Sequence, residues 1–152
     1  MSELKERLQA DLTGAIRARD EVTTATLRMA LAAVTTEEVA GTTARTLSDD
    51  EVLRVLAREA KKRREAAEAF DSADRPELAG RERAEGAVLE RYLPAQLDDA
   101  QVTELVRAAI EEAGATGMAQ MGAVMKAAQA RAAGRADGRR LSTEARRQLT
   151  KA

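Results

Sequence analysis

The segment Tyr92-Leu93-Pro94-Ala95-Gln96-Leu97 runs directly into Asp98-Asp99-Ala100-Gln101 and divides the chain. Pro94 has no backbone N–H and disfavours a helical residue before it, so a helix arriving from the N-terminal side must end there. Asp98 with Gln101 three residues later has the spacing of a capping box, so a new helix opens almost at once. A stop and a start this close together mark a hinge, and they predict two helical domains, residues 1–95 and 96–152.

On the N-terminal side, Leu4, Leu8, Leu12 and Ile16 recur every four residues, and Leu27, Leu31 and Val34 continue the pattern beyond Asp20-Glu21. The first forty residues thus read as two amphipathic helices. Gly41 to Leu47 reads as a loop. Ser48 and Glu51 form another capping box, opening a helix that carries Val52, Leu53, Leu56, Ala60, Ala67 and Phe70 to about Asp71 and is expected to be the longest. Pro76 suits the first turn of a fourth helix, with Asp74 as its candidate cap and Leu78, Val88, Leu89 and Tyr92 as apolar positions. Beyond the hinge, Val102, Leu105, Val106, Ala109 and Ile110 share one face. Gly114 and Gly117 separate them from a Met118, Met121, Val124, Met125 and Ala128 face, and Leu141, Ala145 and Leu149 mark the last helix. No segment alternates with strand period. The expectation is an all-α protein with an N-terminal four-helix unit followed by a small three-helix C-terminal domain.

Composition narrows the chemistry. One Phe, one Tyr and no Trp leave a core of aliphatic helix contacts. With no Cys and no His, the chain lacks disulfides, thiolate nucleophiles, the commonest general base and the commonest metal ligand. No phosphate-binding loop, dinucleotide fingerprint, nucleophile elbow or metal motif is present, so no cofactor and no metal are expected. The pairs Glu37-Glu38, Asp49-Asp50 and Asp98-Asp99 read as helix caps, dipole partners or acidic faces rather than acid/base catalysts. The charged start Met1-Ser2-Glu3-Leu4-Lys5-Glu6 has no apolar signal region and no run is long enough to span a membrane, which predicts a cytoplasmic location.

Charge is the strongest functional signal. Residues 126–152 hold eight Lys or Arg against two acids, net +6, whereas residues 1–125 hold 17 against 24, net −7. A near-neutral total therefore conceals a basic end suited to a polyanion. Arg131, Arg135, Arg139 and Arg140 gather around Gly134-Arg135-Ala136-Asp137-Gly138, placing guanidinium forks beside turn N–H groups able to grip a phosphate. The alternative is a C-cap glycine at Gly134 and a turn into the final helix, with the arginines merely solvated. A second basic face, Arg54, Arg58, Lys61 and Lys62, is better explained as a salt-bridged surface, because Lys61 with Glu65 and Arg64 with Glu68 are four residues apart. The methionine cluster reads as core filling. Scarcity of aromatic residues argues against stacking on single-stranded bases, leaving backbone and shape to be read.

Tyr92-Leu93-Pro94-Ala95-Gln96-Leu97, Met121-Gly122-Ala123-Val124-Met125 and Gly134-Arg135-Ala136-Asp137-Gly138, with Lys61-Lys62-Arg63 upstream, resemble the GatB/YqeY family in its stand-alone YqeY-like form, across essentially the whole chain. The resemblance implies a C-terminal part, Gln96 to Ala152, similar to the tail of the B subunit of the tRNA-dependent amidotransferase, where the helical tail helps hold the tRNA. It implies structural roles for Tyr92, Pro94, Gly122, Met125, Gly134, Ala136, Asp137 and Gly138, and RNA contact for the neighbouring Lys126, Arg131, Arg135, Arg139 and Arg140. Many relatives carry a proline and lysine near Ala130-Arg131; this chain has no proline there, so its helix is expected to run on. The amidotransferase's catalytic residues have no counterpart. The family label of carbon–nitrogen ligase with glutamine as amido donor is therefore not expected to describe this chain alone. The resemblance points to a tRNA-associated accessory module, or alternatively to an adaptor docking through an Ala/Met surface on an amidotransferase or aminoacyl-tRNA synthetase.

Overall fold

The computed structural model describes residues 2–151. They form seven α-helices and, among the described residues, no strand: α1 (Glu3–Ala18), α2 (Glu21–Glu38), α3 (Asp49–Ser72), α4 (Pro76–Glu90), α5 (Asp99–Ala113), α6 (Met121–Ala132) and α7 (Gly138–Thr150), with a 3-10 turn at Met118–Gln120. The all-α expectation holds, and α3, at 24 residues, is the longest helix. Contacts divide the chain between Leu93 and Pro94 into two compact units. The first contains α1–α4 and the second α5–α7.

The helix starts follow from their caps. The Ser48 and Asp98 side chains accept from the N–H groups of Glu51 and Gln101, whose own side chains accept from the cap N–H groups in return. Ser2, Asp20 and Asp137 cap α1, α2 and α7, each accepting one backbone N–H, and Asp20 also accepts the Thr23 hydroxyl. Each cap stabilises its helix by about 1 kcal/mol. Asp74 does not cap α4. It sits in the left-handed region at φ 58, and the next N–H, of Arg75, reaches back to Phe70 O at 2.8 Å. Asp74 therefore closes the end of α3, and α4 starts from Arg75 with no side-chain cap.

In the first unit Leu8, Leu27, Val34, Val52, Leu56 and Leu89 are buried together. Leu47, assigned to a loop by the sequence pattern, belongs to that core at 2% exposure. Ile16, expected on the apolar face, is 47% exposed. Apolar residues four apart advance about 40° around the helix at each step, so the fourth has rotated about 120° away; Ala15 takes the buried position instead. Leu78 is likewise exposed.

The α3–α4 pairing contains an ionic cluster. Arg63, 14% exposed, lies between three carboxylates: Glu59 at 3.4 Å, Glu82 at 3.7 Å and Glu85 at 3.4 Å. Lys62 and Arg81 add outer pairs to Glu59 and Glu85, which balances the charge. Gly86 on α4 faces this site, and a Cβ there would lie 3.6 Å from Arg63 Cβ. Removing one member of a partly buried ion network leaves the others uncompensated. Arg63→Ala should destabilise the chain by about 3 kcal/mol or more in urea unfolding, whereas Lys61→Ala, on the exposed side, should change stability by less than about 0.5 kcal/mol. Equal effects would remove the cluster as a determinant of α3–α4 pairing.

The second unit buries Val102, Val106, Val124, Leu141 and Leu149 with five alanines. Met121 and Met125 pack against this core, but Met118 is 44% exposed, because it lies in the 3-10 turn and out of register with α6. Between α5 and α7, Glu144 accepts from Arg147 Nη2 at 2.5 Å and Gln148 Nε2 at 2.9 Å, while Gln148 also donates to Thr103 O at 2.9 Å. The Arg147 bond foremost holds the Glu144 carboxyl at about 2, against 4.5 for an ordinary glutamate. Since its folded value is the lower one, Glu144 contributes stability above about 4.5 that is lost as pH falls toward about 2. Acid unfolding should therefore show a loss of stability across that window, and Glu144→Gln should flatten it. An unchanged acid profile in the variant would place the sensitivity elsewhere.

Candidate nucleic-acid interface

The basic turn joins α6 to α7. α6 runs through Ala130 and Arg131 to Ala132, where no proline interrupts it. It ends on two successive left-handed residues, Ala133 at φ 49 and Gly134 at φ 80, so the cap position expected of Gly134 is held by Ala133. The Arg135 N–H then donates to Ala132 O at 2.9 Å, and Asp137 receives the Arg140 N–H at 2.8 Å to start α7. Gly134 is favoured by its positive φ. Gly122 and Gly138 have ordinary helical backbone; a Cβ would meet nothing near at Gly122 and only Gln129 Nε2, at 3.8 Å, at Gly138. The unit's own packing makes no demand for glycine at either place.

The five basic residues expected here stand in different situations. Arg140 is half-buried: its guanidinium donates to Leu97 O at 2.8 Å and to Asp99 Oδ1 at 3.1 Å. With the Leu97 N–H donating to Arg135 O at 2.8 Å, these bonds bracket Leu97 and fasten the start of α5 to the turn. Arg135 folds over the end of α6, donating to Ala132 O and Arg131 O and offsetting the negative pole of that helix. Arg131 pairs with Glu112 at 2.9 Å. Lys126 and Arg139 are exposed and make no ion pair with a described residue. Of the five, then, two present uncommitted charge to solvent.

Sequence reasoning missed Arg146 and Lys151, also exposed and without an ion pair among the described residues. The signal was available. Leu141, Ala145 and Leu149 fix the buried side of α7; at about 100° per residue Arg139 and Thr143 turn away from it and Arg146 falls on its flank, within about 60° of Thr143. Glu144 pairs with Arg147 at i,i+3, leaving its neighbour Arg146 free.

The second basic face is largely neutralised. Arg58 pairs with Glu37, Lys61 with Glu65 and Lys62 with Glu59, as on a salt-bridged surface. Arg64 meets Glu90 on α4 at 4.0 Å rather than its expected partner Glu68, since the packed α3–α4 pair brings Glu90 alongside. Tyr92, ahead of Pro94, donates its hydroxyl to Asp11 at 2.5 Å, and the Arg7 guanidinium lies 4.7 Å from the ring centroid. Burial first, and then the bond to Asp11, hold the Tyr92 phenol well above the ordinary tyrosine range, so it remains neutral. Its role is to fasten the end of α4 onto α1. Among the described residues, no helix is long and apolar enough to cross a membrane, and no cluster of carboxylates is placed to hold a metal ion.

No curated protein matches the chain. A family model described as Yqey-like protein matches residues 5–149, nearly its entire length and both compact units. The match spans the segments around Pro94, Gly122 and Gly134, and the chain belongs to the Yqey-like protein family.

Proposed function

We propose that this Yqey-like protein is a non-catalytic accessory module that binds tRNA, or a complex containing it, through a C-terminal three-helix domain of residues 96–152, with the four helices of residues 1–95 forming a separate domain. One observation carries the reading: the charge left over once the second unit's own pairs are counted. Its acids are all engaged. Asp98 and Asp137 cap helices, Asp99 holds Arg140, Glu104 and Glu111 share Arg107, Glu112 holds Arg131 and Glu144 holds Arg147. Lys126, Arg139, Arg146 and Lys151 have no acidic partner among the described residues. Uncompensated cations on a helical surface supply the counterion-release affinity that drives phosphate binding. The resemblance to the amidotransferase tail narrows the polyanion to tRNA. A carbon–nitrogen ligase activity would need a nucleophile or base, and a chain without Cys or His lacks the thiol nucleophile and the commonest general base.

A second reading, the protein adaptor, draws on α6. Gly122, Ala123 and Ala130 are exposed there, as are Ala119 and the 44% exposed Met118 of the preceding 3-10 turn, a surface of small side chains that a partner helix could approach closely. Fluorescence anisotropy of the full chain against labelled bulk tRNA separates the two. The tRNA reading expects saturable binding whose affinity falls with salt, at a log–log slope of about −2 to −4 for a few phosphate contacts. Absence of binding at low salt, together with RNase-insensitive capture of an amidotransferase or synthetase, would transfer the assignment to the adaptor.

A further inference from the structure

On the RNA reading, which this inference deepens, the sequence points to the arginines of the Gly134 turn as the contact. The committed partners of those arginines argue otherwise. Arg131 is neutralised by Glu112, Arg135 is drawn onto the α6 carbonyls, and Arg140 is tied to Leu97 O and Asp99. Transferring any of them to a phosphate would first break a bond inside the unit.

The outward face of α7 has no such cost. Arg139, Thr143 and Arg146 are exposed and lie within about 60° of one another around the helix, outside the stripe of buried Leu141, Ala145 and Leu149. Neither guanidinium has an acidic partner among the described residues, and the Thr143 hydroxyl makes no hydrogen bond there. The one acid of α7, Glu144, is turned toward α5 and occupied by Arg147 and Gln148. Asp99 and Glu144 border the same cleft as Arg139 and Thr143, but each already holds a cation, Arg140 and Arg147 respectively. Arginine and threonine are both donors to phosphate oxygen. Seven residues of helix separate the two arginines by about 10.5 Å along a rigid axis.

We infer that the outward face of α7 is the phosphodiester contact, with Arg139 and Arg146 each holding a phosphate, Thr143 donating between them, and Arg140 serving as a positioning residue that holds the turn. The class of ligand is the backbone of an RNA stem. Residues 94–151 contain no aromatic side chain on which unpaired bases would stack, and cations fixed on a helix suit phosphates held at fixed spacing better than those of a flexible strand.

The test is anisotropy of the full chain with fluorescein-labelled tRNA from about 50 to about 300 mM salt. Arg139→Gln and Arg146→Gln should each reduce the magnitude of the log–log salt slope by about 0.7 to 0.9 and weaken binding about fivefold at about 0.15 M salt. Arg131→Gln should leave the slope unchanged, and a single-stranded RNA of equal length should bind more weakly than the tRNA. Both glutamine variants alter exposed, unpartnered groups, and circular dichroism checks that helicity is kept. If wild-type protein binds tRNA but both variants keep its slope, or the slope falls with Arg131→Gln instead, α7 is not the contact while the tRNA reading stands. Equal affinity for the single strand overturns the stem assignment. Failure of the wild-type chain to bind at all removes both.

Discussion

The second unit is constrained by how little apolar surface it has to bury. Its core includes Ala109, Ala128, Ala132, Ala136 and Ala145, with no aromatic residue among them. Alanine removes little area from water, and at about 25 cal/mol per Å² each such contact contributes little. Small side chains also fit one another in several registers almost equally well. Hydrophobic burial alone thus leaves the helix arrangement poorly specified, and directional polar contacts must fix it. Arg140 and Gln148 do so: one joins the start of α7 to Leu97 O and Asp99, and the other joins its last turn to Thr103 O.

The same demand acts differently in the first unit, where a larger leucine and valine core is available and the specifying contact is ionic. Arg63 and its three glutamates lie where α3 and α4 run against each other, with Gly86 beside them. Apolar side chains of the same volume would pair the helices about as tightly, but they would tolerate a shifted register. A guanidinium requiring three carboxylates on two helices does not. In both units, arginines that resemble free surface charge in a linear sequence are committed to contacts between helices or between a helix and a turn.

The sequence was most readable where local chemistry decides the outcome. The capping boxes at Ser48 and Asp98, the stop before Pro94 and the Leu141, Ala145, Leu149 stripe each depend on residues within one or two helical turns. It was least readable where a partner lies far along the chain. Nothing near Arg140 indicates that Leu97 and Asp99, more than forty positions away, will hold it, and Arg64 turned from its nearby Glu68 to Glu90 once α4 packed alongside. Asp74 failed for another reason. A small polar residue two positions before a proline suits either a helix start or a left-handed helix end, and the reach of the Arg75 N–H to Phe70 O selected the second.

These commitments change how the charge of the chain should be weighed. A formal total of −1 argues against a polyanion, and net +6 over residues 126–152 argues for one, but neither sum separates charges already opposed from those still exposed. At physiological salt a charge is screened within about 8 Å, so a phosphate responds to the few groups beside it and not to the total. Arg131 and Glu112 nearly cancel, as do Arg147 and Glu144, whereas Arg139 and Arg146 are in no ion pair with a described residue. Contacts of this kind orient a nucleic acid without reading its bases. On the proposed reading, selectivity for one RNA over another must therefore come from stem geometry or from a bound partner, and side chains of the α7 face set only affinity and its dependence on salt.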